Sequence, residues 1–561
     1  MKLLTFLLRH SRGLLMLAIG AGIAAGASSM GMLAVIGSRL KPGASAPTLL
    51  WVFVLLCVLY PLTRAASEML LTQLSQNAVL DLRLRLSRQI MAAPLRHLEK
   101  IGAPRLLAAL TEDVTMITAG VYVMPTICIN VVTVLGCLAY LGWLSPLVLV
   151  MVVALIVLGT LIYRLPMRIA GRFMAQARQR TDALYGHFRA LTQGTKELKI
   201  HAPRRAEFFA SHLQGTAAAQ RGETLVAQRI FTVAAVWGQL ILYITLGFLL
   251  FGVPVIQGSD MGQVTTYVLT LLFLAGPLTG IVVMVPTLNR SGVSLRKIEE
   301  LGLSLTAQST EADAGAAVPE PPTWQSVELV GVTHVYHRER ENSSFTLGPL
   351  NLTFRRGELV FLVGGNGSGK TTFAKLLTGL YVPERGHIRF DGEPITQRNR
   401  EQYRQLFSVV FSDFFLFEEM LGLGADRVDE SARQYVELLQ LQHKVEVKGG
   451  RLSTLDLSQG QRKRLALLAA YLEDRPFYVF DEWAADQDPV FKEFFYLQLL
   501  PELKARGKTV LAISHDDRYY HLGDRIIRLV DGQLEYDQPS GSAPHLYDSL
   551  GVGSDSNSIT A

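Results

Sequence analysis

The sequence predicts two unlike parts in one chain, six membrane-spanning α-helices followed by an α/β domain that carries a phosphate-binding loop. Three observations predict this fold class. Six long stretches without charge lie within residues 1–304, a Gly-rich loop follows an apolar strand pattern at 359–363, and charge is divided unevenly along the chain. Only 18% of the 561 residues are charged, whereas a typical soluble domain has about 25%.

The charge balance separates the two halves. Residues 1–304 contain 27 Lys and Arg against 12 Asp and Glu, so the remaining 257 residues carry a net −9. Three cysteines exclude a disulfide scaffold, and ordinary Gly and Pro contents argue against a disordered or collagen-like chain. The hydrophobic first half and the acidic second half are therefore expected to lie in different environments.

Six uncharged stretches predict the membrane helices, because a helix needs about 20 apolar residues to cross about 30 Å of hydrocarbon. The second stretch is short and is expected to continue through 65–71, beyond Arg64. Buried helices of a soluble core account for one such stretch but not for six. The first stretch is also longer than the apolar region of about 7–15 residues in a cleaved signal peptide. The stretches are Gly13–Gly37, Thr48–Thr63, Gly120–Leu141, Pro146–Tyr163, Phe231–Val253 and Val264–Leu288.

Lys and Arg residues between the stretches predict the orientation. With a cytoplasmic N-terminus, the inside segments carry 25 of these residues and the outside loops carry two, Arg39 and Lys41. This bias places the N-terminus and the C-terminal domain in the cytoplasm. It also explains the basic first half without a nucleic acid partner.

The two long inside segments show apolar residues at helical spacing, for example at 77–95 and 168–192. We expect the membrane helices to extend far into the cytoplasm and to turn at a short tip. A small, acidic, Pro-rich stretch then predicts a linker. The expected organisation is a transmembrane domain at 1–304, the linker at 305–325, an α/β domain at 326–540 and a flexible tail at 541–561.

The strongest single motif matches the P-loop pattern G-x-x-x-x-G-K-[ST] and lies between a strand pattern and a helix pattern that starts at Thr372. Its glycines allow backbone N–H groups to surround phosphates, its lysine meets the β- and γ-phosphate charge, and the hydroxyl of Thr371 can bind Mg²⁺. By itself the motif fits any P-loop nucleoside triphosphatase (NTPase). Its residues are Gly364, Gly365, Asn366, Gly367, Ser368, Gly369, Lys370, Thr371 and Thr372.

A second apolar strand pattern, at 477–480, ends in two acids. Asp481 is expected to hold Mg²⁺, and Glu482 is placed to polarise the attacking water. An edge strand that ends in solvated acids is the alternative, and the preceding P-loop argues against it.

Between these motifs the chain reads LSQGQ at 457–461, before an apolar helical stretch. This segment resembles the signature sequence of ATP-binding cassette (ABC) proteins, which have the same order of P-loop, signature and Asp-Glu strand. The resemblance implies that ATP is the nucleotide and that Ser458, Gly460 and Gln461 bind it from the signature. It further implies that Tyr336 stacks on adenine, that Asp488 is the D-loop acid, and that His515 senses the γ-phosphate.

One position departs from the cassette pattern. Where cassettes usually carry Gln after an apolar strand, this chain has Ser412. A hydroxyl at this place can reach Mg²⁺ through water, so Ser412 joins Thr371 and Asp481 as an expected Mg²⁺ contact.

Six helices before one cassette resemble the exporter half-transporters, which implies a homodimer with two ATP sites. The segments VVFSDFFLF at 409–417 and DEWAADQDP at 481–489 resemble bacterial exporters of cyclic peptides, lipopeptides and peptide siderophores. That resemblance implies a multi-pass protein of the inner membrane that moves a peptide-like cargo with ATP and Mg²⁺. Two alternatives remain open, a lipid or glycolipid flippase of the same architecture and a membrane ATPase that acts as a sensor or gate.

Overall fold

The computed structural model describes residues 12–39, 46–257, 260–301, 323–338, 343–423 and 425–542. Internal contacts divide the chain into two compact units. One unit comprises 1–84 and 108–300, and the other comprises 85–107 and 301–561. The predicted linker and tail lie almost wholly outside the described residues.

The described part of the first unit is built from helices. Among the residues that the structure describes, six helices are long and apolar enough to span a membrane, as the sequence predicts. The second of these continues unbroken past Arg64, whose Nε donates to Glu68 Oε1 at 3.0 Å. The helices of the membrane half, including two short helices between the long ones, are α1 Arg12–Arg39, α2 Ala46–Ala92, α3 Leu95–Ile101, α4 Ala103–Leu144, α5 Pro146–Gln193, α6 Thr195–Ile200, α7 Ala202–Ile256 and α8 Met261–Glu300.

Several of these helices are much longer than a bilayer requires. Helices α2 and α5 have 47 and 48 residues, which is about 70 Å at 1.5 Å per residue. The hydrocarbon core is about 30 Å thick. Helices α2 and α5 are therefore long enough to project beyond the membrane. The short helices α3 and α6 follow them and form the tips that the sequence pattern predicts.

The second unit contains two main sheets. A four-stranded antiparallel sheet has the order β2-β1-β4-β5, and a six-stranded sheet has the order β12-β11-β3-β10-β9-β6 with only β12 antiparallel. The strands are β1 Ser326–Arg338, β2 Ser343–Arg355, β3 Leu359–Val363, β4 Arg385–Phe390, β5 Glu393–Pro394, β6 Phe407–Val410, β7 Val447–Lys448, β8 Arg451–Leu452, β9 Phe477–Asp481, β10 Thr509–Ile513, β11 Arg525–Val530 and β12 Gln533–Pro539.

Helices connect these strands. They are α9 Lys370–Leu377, α10 Arg400–Arg404, α11 Ala425–Leu438, α12 Gln459–Glu473, α13 Pro489–Phe494 and α14 Leu500–Ala505. Strand β3 shows how the sheet separates two apolar cores. Its odd-numbered residues Leu359, Phe361 and Val363 belong to one core, and Val360 and Leu362 belong to the other. The carboxyl ends of β3, β9 and β10 meet at one edge, where ligands bind in open α/β sheets.

The tip helix α3 belongs to the second unit and is held there by polar contacts. Glu99 accepts from Lys375 Nζ at 2.8 Å and from the Tyr381 hydroxyl, and Arg96 Nη1 donates to Glu384 Oε1 at 2.6 Å. None of the α3 residues is buried. This tip is therefore attached by ion pairs and hydrogen bonds, and its first residue, Leu95, also packs against the apolar core of the unit.

Candidate active site

The predicted P-loop connects β3 to α9. The helix begins at Lys370, two residues earlier than the sequence pattern indicates. Gly364 and Gly369 adopt φ values of +155° and +99°. A Cβ at Gly364 would lie 2.3 Å from the carbonyl oxygen of Leu529, so only glycine fits there.

Lys370 is buried, and its ammonium group is held in place by the loop itself. Nζ donates to the carbonyl oxygens of Gly364 and Gly365, both at 3.0 Å, and lies 3.8 Å from Glu482 Oε1. Burial lowers the pKa of Lys370 below its ordinary value. The hydroxyl of Ser368 is also buried and has no hydrogen-bond partner. The loop therefore presents a partly desolvated cation and an unused hydroxyl donor, a combination suited to a phosphate.

Asp481 is the last residue of β9 and is fully buried. Its Oδ2 accepts from Thr371 Oγ1 at 2.9 Å and from Ser412 Oγ at 3.3 Å, whereas Oδ1 has no partner. Burial raises the pKa of the Asp481 carboxyl. An unpaired buried carboxylate oxygen beside two hydroxyls fits a hard cation such as Mg²⁺, which prefers oxygen ligands. The structure thus brings together the three residues that the sequence predicts to contact Mg²⁺.

Glu482 follows directly after β9 in the left-handed backbone region, with φ +51°. Its N–H donates to the carbonyl oxygen of Ile513 at 3.1 Å, which anchors it to the end of β10. His515, two residues beyond that strand, places Nε2 3.0 Å from Glu482 Oε1. The carboxylate therefore lies between His515 and Lys370, at the edge of the P-loop.

Lys370, Thr371 and Glu482 line a cleft of about 250 Å³. The lining does not include Asp481, Ser412, His515 or the P-loop residues Gly364, Gly365 and Ser368. Tyr336 lies at the wall of the cleft and is 44% exposed, so its ring is available for stacking. Sequence reasoning missed Phe345, which is the cross-strand partner of Tyr336 on β2. The signal for Phe345 is the register of β1 against β2, which puts it directly opposite Tyr336. The lining residues are Tyr336, Phe345, Asn366, Gly367, Gly369, Lys370, Thr371, Thr372 and Glu482.

The signature residues and Asp488 are absent from that lining. Ser458 caps α12 by accepting from Gln461 N–H, and Gln461 Oε1 accepts from Ser458 N–H in return. The carbonyl oxygen of Gly460 accepts from Gln487 Nε2 at 3.1 Å. The carboxylate of Asp488 accepts from Arg464 and from Phe491 N–H, and the latter bond lowers its pKa. The start of α12 and the loop after Glu482 therefore form one connected surface.

Two family models match the chain. The ABC transporter transmembrane region matches residues 13–278, and the ABC transporter model matches residues 347–485. A solved structure of a bacterial Atm1-family ABC exporter with ATP bound aligns with a TM-score of 0.74, covering 96% of this chain and 97% of that chain at 17% identity. This likeness shows the fold.

Curated relatives match over most of their length. The ATP-binding protein SyrD of Pseudomonas syringae pv. syringae is 38% identical over 524 residues, which is 92% of this chain and 93% of SyrD. The ATP-dependent lipid A-core flippase of Alkalilimnicola ehrlichii is 27% identical over 84% of this chain and 81% of its own. The flippase of Thiobacillus denitrificans is 25% identical over 86% and 85%, respectively.

Proposed function

The chain belongs to the ABC transporter family as an ATP-driven exporter, and from that premise we propose that it exports a peptide-like cargo. The cargo class is a cyclic peptide, a lipopeptide, or a peptide siderophore or its precursor. The observation that carries this proposal is Ser412 within VVFSDFFLF, the segment by which the chain resembles peptide exporters. Its hydroxyl bonds to Asp481, so the unusual residue is part of the site.

A lipid or glycolipid flippase is the second candidate, and the names of two relatives favour it. Those relatives are 27% and 25% identical to this chain, and both are called lipid A-core flippases. The relative that is 38% identical carries a name that refers only to ATP binding. The greater similarity thus lies with a protein that is not named as a flippase.

The residues in and beside the cleft have the chemistry that ATP hydrolysis requires. Tyr336 would stack on adenine, the P-loop amides and Lys370 would hold the phosphates, and Glu482 would polarise the attacking water. His515, whose Nε2 contacts Oε1 of Glu482, would orient the Glu482 carboxylate and contact the γ-phosphate. Positioning and charge stabilisation supply most of the catalysis in such phosphoryl transfers.

Thr371, Asp481 and Ser412 would hold Mg²⁺. The free Oδ1 of Asp481 supports this assignment, because a buried carboxylate oxygen without a partner is costly. When held there, Mg²⁺ would supply positive charge against the charge that develops on the transferred phosphoryl group. Thr371, Asp481 and Ser412 would keep the cation at the end of β9, next to Glu482.

We further propose that the functional unit is a homodimer in the bacterial inner membrane, with the N-terminus and the ATPase domain in the cytoplasm. The cleft lacks Ser458, Gly460, Gln461 and Asp488, so a second copy would supply them across each ATP. The excess of Lys and Arg in the inside segments, 25 against two, supports the orientation. Each copy would thus complete the site of the other.

The cargo is tested with purified protein in lipid nanodiscs. ATPase activity is measured with cyclic peptides, lipopeptides, peptide siderophores and lipid A, and Lys370→Ala serves as the inactive control. Peptide cargo predicts saturable stimulation by one peptide class and ATP-dependent uptake of that peptide into inside-out vesicles. Absence of stimulation by every peptide, together with ATP-dependent lipid translocation, would refute peptide export and support the flippase.

A further inference from the structure

The structure assigns a role in hydrolysis to Lys463, a residue of α12 that does not line the nucleotide cleft. We propose that Lys463 is a positioning residue, which holds the backbone at Glu482 so that the carboxylate points at the attacking water. The proposal rests on the role of Glu482 proposed above. Lys463 is 3% exposed, and a lysine is almost never buried so completely unless it is paired.

The backbone of Glu482 has an unusual conformation that needs support. Residues with a Cβ rarely adopt the left-handed conformation that Glu482 has, so neighbouring contacts must maintain it. The Nζ of Lys463 donates to the carbonyl oxygen of Glu482 at 3.0 Å. This bond fixes the peptide that follows Glu482 and therefore the direction in which its side chain leaves the strand.

The charge of Lys463 is balanced by an acid in the turn after Glu482. The ammonium group pairs with Asp486 Oδ2 at 2.7 Å, and the same carboxylate oxygen accepts from Gln459 Nε2 at 3.2 Å. Asp486 lies in the short helical turn Trp483–Asp486 that begins directly after Glu482. Lys463 thus holds this turn at both ends.

A hydrogen bond in the opposite direction holds the backbone of Lys463 against the turn after Glu482. The indole Nε1 of Trp483 donates to the carbonyl oxygen of Lys463 at 2.8 Å, and the indole stacks on Phe495 with ring centroids 4.5 Å apart. Both Trp483 and Phe495 are buried. Four contacts therefore connect helix α12 to Glu482 and the turn after it, and the two segments are expected to move together.

Because Lys463 does not line the nucleotide cleft, its loss should affect the chemical step more than ATP binding. In nanodiscs, Lys463→Met should lower kcat about 10- to 100-fold and change KM for ATP by less than about threefold. Lys463→Arg keeps the charge and the donors, so its kcat should recover to within about fivefold of the wild type.

The chain provides a matched control. Lys508 donates to the carbonyl oxygen of Asp474 at 2.8 Å and pairs with the same residue at 2.9 Å. Asp474 also has a left-handed backbone, with φ +47°. Lys508→Met therefore removes the same kind of contact away from the cleft and should leave kcat unchanged, while any loss of Tm reports the structural part.

Three results would overturn the proposal: a kcat of Lys463→Met within about threefold of wild type, an equal loss of kcat in Lys508→Met, or no recovery in Lys463→Arg. If Lys463→Met does not fold, Lys463→Gln takes its place, and wild-type turnover in that variant is equally contradictory. Glu482→Gln separates the two proposals. Normal turnover in Glu482→Gln refutes the role of Glu482, whereas an inactive Glu482→Gln beside a fully active Lys463→Met refutes only the positioning role.

Discussion

Glu482→Gln is the sharpest perturbation of the proposed hydrolysis site, because it removes one charge and preserves the shape of the side chain. In the structure, Oε1 of Glu482 lies 3.0 Å from His515 Nε2 and 3.8 Å from Lys370 Nζ. The amide can still bond to the imidazole but cannot attract a proton from water. We therefore expect turnover to fall while ATP binding persists.

The size of both effects can be estimated. Loss of a general base lowers kcat about 10²- to 10⁴-fold, which is about 3–5.5 kcal/mol of barrier. The ion pair between Glu482 and Lys370 is partly solvated, since the Glu482 side chain is 35% exposed. Such a pair is worth about 0.2–1 kcal/mol, and its removal frees Lys370 for phosphate. The Kd for ATP should therefore decrease by about 1.4- to 5-fold.

Two measurements check these figures on protein in nanodiscs. Phosphate release gives kcat, and titration with a fluorescent ATP analogue gives Kd. Chemical crosslinking with ATP should also trap a larger fraction of dimer than in the wild type. Normal turnover would refute the role of Glu482, and a Kd weakened about tenfold would refute the competition between Glu482 and phosphate for Lys370.

Two further predictions concern the nucleotide domain. Ser412→Gln should keep ATPase activity within about threefold of wild type, because Thr371 still donates to Asp481 at 2.9 Å; complete loss of phosphate release would mean that the site requires the shorter side chain. Tyr336→Ala should weaken ATP binding by about 1–3 kcal/mol through lost stacking, with Tyr336→Trp as the control, and an unchanged Kd would remove Tyr336 from the site.

The membrane half was predictable because its signal is composition over long stretches. Each spanning helix appears as an uncharged run, and Arg64 did not end α2 because Glu68 one turn later pairs with it. The P-loop and the Asp-Glu strand were predictable for a different reason. Their residues are adjacent in sequence, and the strand that precedes each motif fixes where the side chains emerge.

The remainder of the site depends on contacts between distant segments. Phe345 becomes part of the cleft through its register with Tyr336, which no local pattern specifies. Lys463 looks like a surface lysine in the sequence, and only the fold of the turn after Glu482 buries it. Residues 85–107 belong to the nucleotide-binding unit, where ion pairs likewise join α3 to residues more than 270 positions away.

Those ion pairs make the attachment of the first tip helix sensitive to salt. The pairs Glu99–Lys375 and Arg96–Glu384 are partly exposed to solvent, so dissolved ions reach them, and at physiological ionic strength screening acts over about 8 Å. The nucleotide cleft relies instead on buried groups such as Lys370 and Asp481, which ions screen much less. Raising the salt concentration should therefore loosen the attachment of α3 before it impairs hydrolysis. The protein would then hydrolyse ATP with less transport per turnover, so that hydrolysis becomes partly uncoupled from transport.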